Sequence, residues 1–210
     1  MAFYPDLLTN GDFMAKLYFK YGAMGSSKTA QALITKFNYE ERGMKVWLIK
    51  PATDTRDGSD ILSSRAGLSA KCRSIDKGEN IVDLFCERKN ETDVIIADES
   101  QFFTEKQIDE LRHIVNAWNI PTLCFGLRTD FLTRLFPGSR RLMEIADTIS
   151  EIKTMCECGR KATVSARING EGKIVTAGRQ VMLGGNDRYI AMCHGCFVKR
   201  ISEEQENANQ

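Results

Sequence analysis

Apolar residues fall along this 210-residue chain in two alternating textures. Short runs, Leu17-Tyr18-Phe19-Lys20-Tyr21, Lys45-Val46-Trp47-Leu48-Ile49, Val94-Ile95-Ile96-Ala97 and Thr122-Leu123-Cys124-Phe125, read as strands. Val94–Ala97 is unbroken, as in a strand covered on both faces. Between the runs, apolar positions recur every three or four residues. Ala30-Gln31-Ala32-Leu33-Ile34 opens one helix, and Ile81, Leu84 and Phe85 share a face of another between Asn80 and Lys89. Ile108, Leu111, Ile114, Val115 and Trp118 form a stripe at 3.6-residue spacing. Thr104 and Gln107 precede that stripe as a capping box, and Pro121 stops it. Strand–helix alternation of this kind predicts an α/β fold, a parallel sheet covered by helices.

The texture changes near Ile152. From there to about Arg200 come paired cysteines, the turns Asn169-Gly170 and Gly184-Gly185, and short β-type runs, which together predict a small β module. The chain therefore divides into an extension over 1–13 outside the fold, an α/β domain over 14–152, a module over 153–200 and a polar tail over 201–210. Met14-Ala15-Lys16, just after the extension, offers an alternative start. The tail is acidic, with Ala208 its last small apolar residue, and is expected to be disordered.

Gly22-Ala23-Met24-Gly25-Ser26-Ser27-Lys28-Thr29 follows the first strand and opens the first helix. Strand, small-residue loop, Lys-Thr and helix make a P-loop, whose backbone N–H groups cradle phosphate. Lys28 is expected at the β/γ-phosphates and Thr29 at Mg²⁺. Ser27 stands where the pattern has glycine. Asp98-Glu99 ends the buried strand, where open α/β sheets bind ligands. Asp98 is expected near the metal and Glu99 as a base toward an attacking hydroxyl or water. Asp54-Thr55-Arg56 follows the second strand, where a cation can reach a transferring phosphoryl group and an acid can hold Mg²⁺ through water.

Charge and cysteine usage narrow the picture. Lys+Arg 29 against Asp+Glu 28 leaves a formal charge of +1, which argues against a non-specific nucleic-acid binder. No run of about 18 apolar residues exists to span a membrane, and the N-terminus lacks the features of a signal peptide. A soluble, reducing, cytoplasmic setting is expected. Of seven Cys, Cys156, Cys158, Cys193 and Cys196 form two close pairs, which suits a closed structural zinc site, with dithiol redox chemistry as the rival. The one-residue gap between Cys156 and Cys158 makes a tight turn relieved by Gly159. His194 is a possible substitute ligand. Cys72, Cys86 and Cys124 read as core thiols, and His113 as an ordinary helix residue. Gly178 to Tyr189 is a long loop whose Val181, Met182, Leu183 and Tyr189 can close over a planar ligand, or else a hairpin with a glycine turn.

These residues together resemble the zinc-containing type II thymidine kinase family in its bacterial form. The resemblance runs from about Ala15 to Phe197. It rests on Gly22–Thr29, Asp54-Thr55-Arg56, Asp98-Glu99-Ser100-Gln101-Phe102, Gly126-Leu127-Arg128-Thr129-Asp130-Phe131, the four cysteines and Gly184-Gly185-Asn186-Asp187-Arg188-Tyr189. It implies a RecA-like P-loop sheet with a zinc-ribbon-like module, and transfer of the ATP γ-phosphate to the 5′-hydroxyl of deoxythymidine in nucleoside salvage. Glu99 matches the family's base and Arg56 its phosphate-stabilising arginine. Gly22 through Thr29, with Asp54, Asp98 and Gln101, match the ATP and Mg²⁺ side. Met24, Phe102, Leu127 and Phe131 match the thymine pocket, and Val181–Gly184 with Tyr189 match the lasso that grips the base. A homotetramer with dTTP as feedback inhibitor is implied too. A zinc-bearing P-loop ATPase of DNA repair is a second reading, disfavoured by the neutral charge. A binding-only protein disabled by Ser27 is a third.

Overall fold

The computed structural model describes residues 14–53, 60–180 and 188–208. Asp54, Thr55, Arg56 and the lasso residues Val181, Met182, Leu183 and Gly184 lie outside the described residues, as does the extension over 1–13. In chain order the elements are β1 (Leu17–Tyr21), α1 (Lys28–Glu40), β2 (Val46–Pro51), β3 (Ile61–Ser63), β4 (Ser69–Lys71), β5 (Arg73–Ile75), α2 (Ile81–Cys86), β6 (Val94–Ala97), α3 (Glu105–Trp118), β7 (Thr122–Gly126), α4 (Pro137–Ile145), β8 (Thr148–Glu151), β9 (Val164–Ile168), β10 (Arg188–Met192) and α5 (His194–Ala208).

Six strands form one sheet in the order β5-β2-β6-β7-β1-β8, and every pair in it is parallel. The expected α/β class is the one observed. β6 shows why its run is unbroken. Ile95 and Ala97 enter one core with Phe19, Ile108 and Leu111 beneath α3. Val94 and Ile96 enter the other, with Ala32 and Leu33 of α1. Burying both faces forbids alternation of polar and apolar residues.

α3 begins as its sequence predicts. Thr104 accepts a hydrogen bond from the Gln107 N–H at 3.1 Å, and Gln107 Oε1 accepts one from the Thr104 N–H at 3.1 Å. Ile108, Leu111, Ile114 and Val115 are buried. α3 stops with Asn119 in the left-handed region, two residues before Pro121.

Two expectations are corrected. Cys124 is buried, but Cys86 is exposed at the end of α2 and is no core thiol. α5 also runs on to Ala208, through residues 201–208 of the segment expected as a tail. Charge pairs one turn apart support its first part, Lys199–Glu203 at 3.5 Å and Arg200–Glu204 at 3.2 Å. Glu204 also accepts the Ile174 N–H at 2.9 Å, tying the helix to the module.

α4 seats unusually close to the turn after β6. A Cβ built on Gly138 would lie 2.6 Å from the Ser100 carbonyl oxygen and 2.7 Å from that of Phe103. Both obstacles are backbone, so neither yields cheaply. Gly138→Ala is expected to lower stability by about 1–3 kcal/mol in urea denaturation, and an unchanged midpoint would contradict that contact.

Candidate active site

The C-terminal ends of β1, β2, β6 and β7 open on one side of the sheet, where the P-loop, the acid pair and Leu127 gather. The loop from Gly22 leads into α1 at Lys28. Lys28 is buried, and its Nζ donates to the Ala23 carbonyl at 2.8 Å and to Ser26 Oγ at 3.3 Å. The ammonium thus rests against its own loop, poised over the cradle that the pattern predicts. Ser27 adopts φ 58°, ψ 27°, the left-handed conformation that glycine would take here. The loop therefore keeps its path despite the side chain, at a strain of about 1 kcal/mol. Ser27 is exposed, and its side chain makes no hydrogen bond that caps α1. Ser27→Gly is expected to raise the melting temperature without altering nucleotide affinity; a lowered melting temperature would show that the hydroxyl has a stabilising partner.

Asp98 is buried, and the Thr29 side chain hydrogen-bonds its carboxyl. Burial, and then the neighbouring Glu99, push that carboxyl up to about 7. Its Oδ2 is buried with no hydrogen-bond partner. An idle carboxylate oxygen beside a threonine hydroxyl is a donor set for a hard cation, so Asp98 and Thr29 fit Mg²⁺.

Glu99 follows in the left-handed region at φ 49°, ψ 33°, and caps a 3-10 turn over Ser100–Phe102. This sharp reversal throws its carboxylate out of the strand line. Gln101 Nε2 donates to Glu99 Oε2 at 2.5 Å, while Gln101 Oε1 accepts the Leu127 N–H at 2.9 Å. The sequence places Gln101 among nucleotide-side residues; here both ends of its amide bond protein groups and orient Glu99. Ser139 Oγ, at the start of α4, donates to the Leu127 carbonyl at 2.6 Å.

A cavity of about 450 Å³ brings Met24, Lys28, Thr29 and Glu99 together with Ser64 and Arg65 of the β3–β4 turn. Arg65 was not legible as a site residue, because the hairpin that carries it has too few residues for periodicity to register. Lys50, fully buried, secures this hairpin by donating to the Ile61 carbonyl at 2.9 Å.

The other residues expected at the thymine pocket make aromatic and cation–π contacts. Phe102 packs edge-on against Phe136 at 5.5 Å between ring centroids. Phe131 is buried beneath the Arg167 guanidinium, 3.6 Å from the ring centroid, and Tyr189 lies 6.0 Å from the same guanidinium. Asp130 accepts the N–H groups of Leu132 and Arg134, each at 2.9 Å, and Gln180 Nε2 at 3.0 Å. It thereby ties Gln180 to the turn that follows β7.

In the module, Sγ atoms of Cys156, Cys158, Cys193 and Cys196 all lie within 4.8 Å of one another. Cys158 and Cys193 are 3.6 Å apart, close to the ~3.8 Å edge of a tetrahedron with Zn–S bonds of about 2.3 Å. That is far beyond disulfide length, and the four sulfurs converge as one group. Gly159 at φ 82° makes the tight turn between the first pair and Arg160, as the spacing predicts. A hydrogen bond from Arg160 Nε at 3.5 Å pulls the Cys158 thiol down to about 6. Bonding to Cys158 pushes the Cys196 thiol up to about 12. His194 is exposed and outside this group. The residues fit a closed structural zinc.

These features define a P-loop α/β protein with an acid pair at the mouth of its loop and a four-cysteine module beside it. A family profile described as "Thymidine kinase" matches residues 15–197. The chain is 41% identical over 190 residues to the thymidine kinase of Yersinia pseudotuberculosis, covering 90% of this chain and 97% of that one. It is 44% identical over 184 residues to the thymidine kinase of Chromobacterium violaceum (88% and 98%) and 40% identical over 199 residues to that of Rhodopirellula baltica (92% and 93%). The chain belongs to the thymidine kinase family.

Proposed function

We propose that this chain transfers the γ-phosphoryl group of ATP to the 5′-hydroxyl of deoxythymidine, giving dTMP and ADP. The observation that carries the proposal is the shared cavity: Glu99 opens into the same space as Lys28 and Thr29. A hydroxyl and a terminal phosphate can meet there.

Glu99 takes the proton of the 5′-hydroxyl as its oxygen bonds to the γ-phosphorus, and the bond from that phosphorus to the bridging oxygen of ADP breaks. Lys28 and the loop N–H groups hold the β/γ-phosphates. Asp98 and Thr29, with Asp54, would hold Mg²⁺, which neutralises phosphate charge when bound. Arg56 is proposed to stabilise the transferring group. Met24, Phe102, Leu127, Phe131 and Tyr189 enclose the planar base, with Val181–Gly184 closing over it. Zinc on the four cysteines would fold the module and leave no open position for chemistry.

The family resemblance extends the proposal to a cytoplasmic homotetramer inhibited by dTTP. Among the described residues no helix is long and apolar enough to cross a membrane. Incubating zinc-loaded protein with Mg-ATP and labelled thymidine tests the proposal. Labelled dTMP is expected; its absence from folded protein, or ATP hydrolysis stimulated by DNA in its place, would overturn it.

A further inference from the structure

β9 belongs to the cysteine module, yet two of its five side chains serve the other domain. Val164 and Ala166 enter the module's own core with Cys156, Met192 and Phe197. Strand alternation turns Ser165 and Arg167 the opposite way. Ser165 is 4% exposed, and its Oγ accepts the Met24 N–H of the P-loop at 3.0 Å. Arg167 is 1% exposed. Its plane covers Phe131 and approaches Tyr189, and it donates to the Arg179 carbonyl at 2.7 Å, just ahead of the lasso. One strand therefore touches the phosphate loop with one residue and the nucleoside wall with another.

We propose that Ser165 and Arg167 are positioning residues for the two substrates, Ser165 for the nucleotide and Arg167 for the nucleoside. The assignment of Arg167 rests on Phe131 and Tyr189 flanking the nucleoside, as in the function proposed above. Met24 is an early residue of the loop. Fixing its peptide plane from outside sets the direction in which the following N–H groups converge. Without the hydroxyl, a part-buried N–H loses its acceptor and the loop relaxes to find another. Arg167 acts by shape as well as charge. A guanidinium lies flat on an aromatic face and still donates sideways, whereas an ammonium has no plane to stack.

The test compares zinc-loaded Ser165→Ala, Ser165→Thr, Arg167→Lys and Arg167→Met with the parent chain. Each is measured for KM of both substrates, kcat, melting temperature and zinc content. Ser165→Ala is expected to raise the KM for Mg-ATP about fivefold, with a smaller rise for thymidine because the Met24 side chain also faces the base, and Ser165→Thr to restore both. Arg167→Lys is expected to raise the KM for thymidine about tenfold at unchanged KM for Mg-ATP, with Arg167→Met at least as severe. Variants that lose melting temperature while both KM values stay at the parent's, or that raise both KM values equally, would overturn the proposal. Failure of the parent chain to form dTMP would instead overturn the function proposed above. Calorimetric titration of Mg-ATP into parent and Ser165→Ala protein would then decide the Ser165 assignment, equal affinities rejecting it.

Discussion

Glu99→Gln is expected to lower kcat for thymidine phosphorylation by about 10²–10⁴ while leaving the KM for thymidine close to the parent's. The substitution keeps the volume of the side chain and removes its ability to accept a proton. The surroundings make it a clean test. The left-handed turn at Glu99 is a backbone property held by the packing of Gly138 against Ser100 and Phe103, and the exchange does not alter it. Gln101 still finds an acceptor at position 99, since an amide oxygen replaces a carboxylate oxygen. Melting temperature should therefore hold while turnover collapses. If kcat is retained, the proton leaves by another route and Glu99 is not the base. A rise in KM at constant kcat would make it a binding group only.

Removal of zinc is expected to have the other large effect. The module's core is small, made of Cys156, Ala162, Val164, Ala166, Ile174, Met192, Cys193 and Phe197. Two of its eight members, Cys156 and Cys193, belong to the four-cysteine cluster. In zinc-finger peptides the metal supplies roughly 10–16 kcal/mol of apparent folding free energy, far more than this core can supply alone. A strong chelator, or Cys193→Ser, should unfold β9, β10 and α5, with a loss of helical circular dichroism from α5. Activity should vanish with it, because β9 no longer holds Met24 or Phe131. The six-stranded sheet, with its own two cores, should still unfold cooperatively at a separate transition. A melting curve unchanged by demetallation would reject a structural metal.

The parts of this molecule legible in its sequence are those governed by local periodicity. The strands β1, β2, β6 and β7 are short, mainly apolar runs, unbroken in β6, and α3 carries both its stripe and its capping box. The P-loop, the acid pair and the cysteine set were legible because each compresses its chemistry into a few adjacent residues. What escaped notice depends on contacts between distant segments. The β3–β4 hairpin is three residues per strand, and Arg65 gains meaning only because Leu62 packs into the core beside α1. β5 and β8 are short edge strands with exposed positions, specified by neighbours rather than by hydrophobicity. The tail of α5 has no apolar stripe, and charge pairs support its first part. Ser165 and Arg167 left one trace, two polar residues at alternate positions in an otherwise apolar strand. That trace says they face something polar or aromatic; only the fold says what.

The strand order has a consequence for reactant size. β7 stands between β1, which delivers the phosphate loop, and β6, which delivers the acids. Neighbouring strands are spaced by about 4.8 Å, so the backbones that carry Lys28 and Glu99 emerge roughly 9.6 Å apart. That interval acts as a gauge. Thr29 and Asp98 reach across its floor and hydrogen-bond each other. Were the two strands direct neighbours, the side chains would fill the gap themselves. The intervening strand sets the working clearance of the site before any loop closes over it.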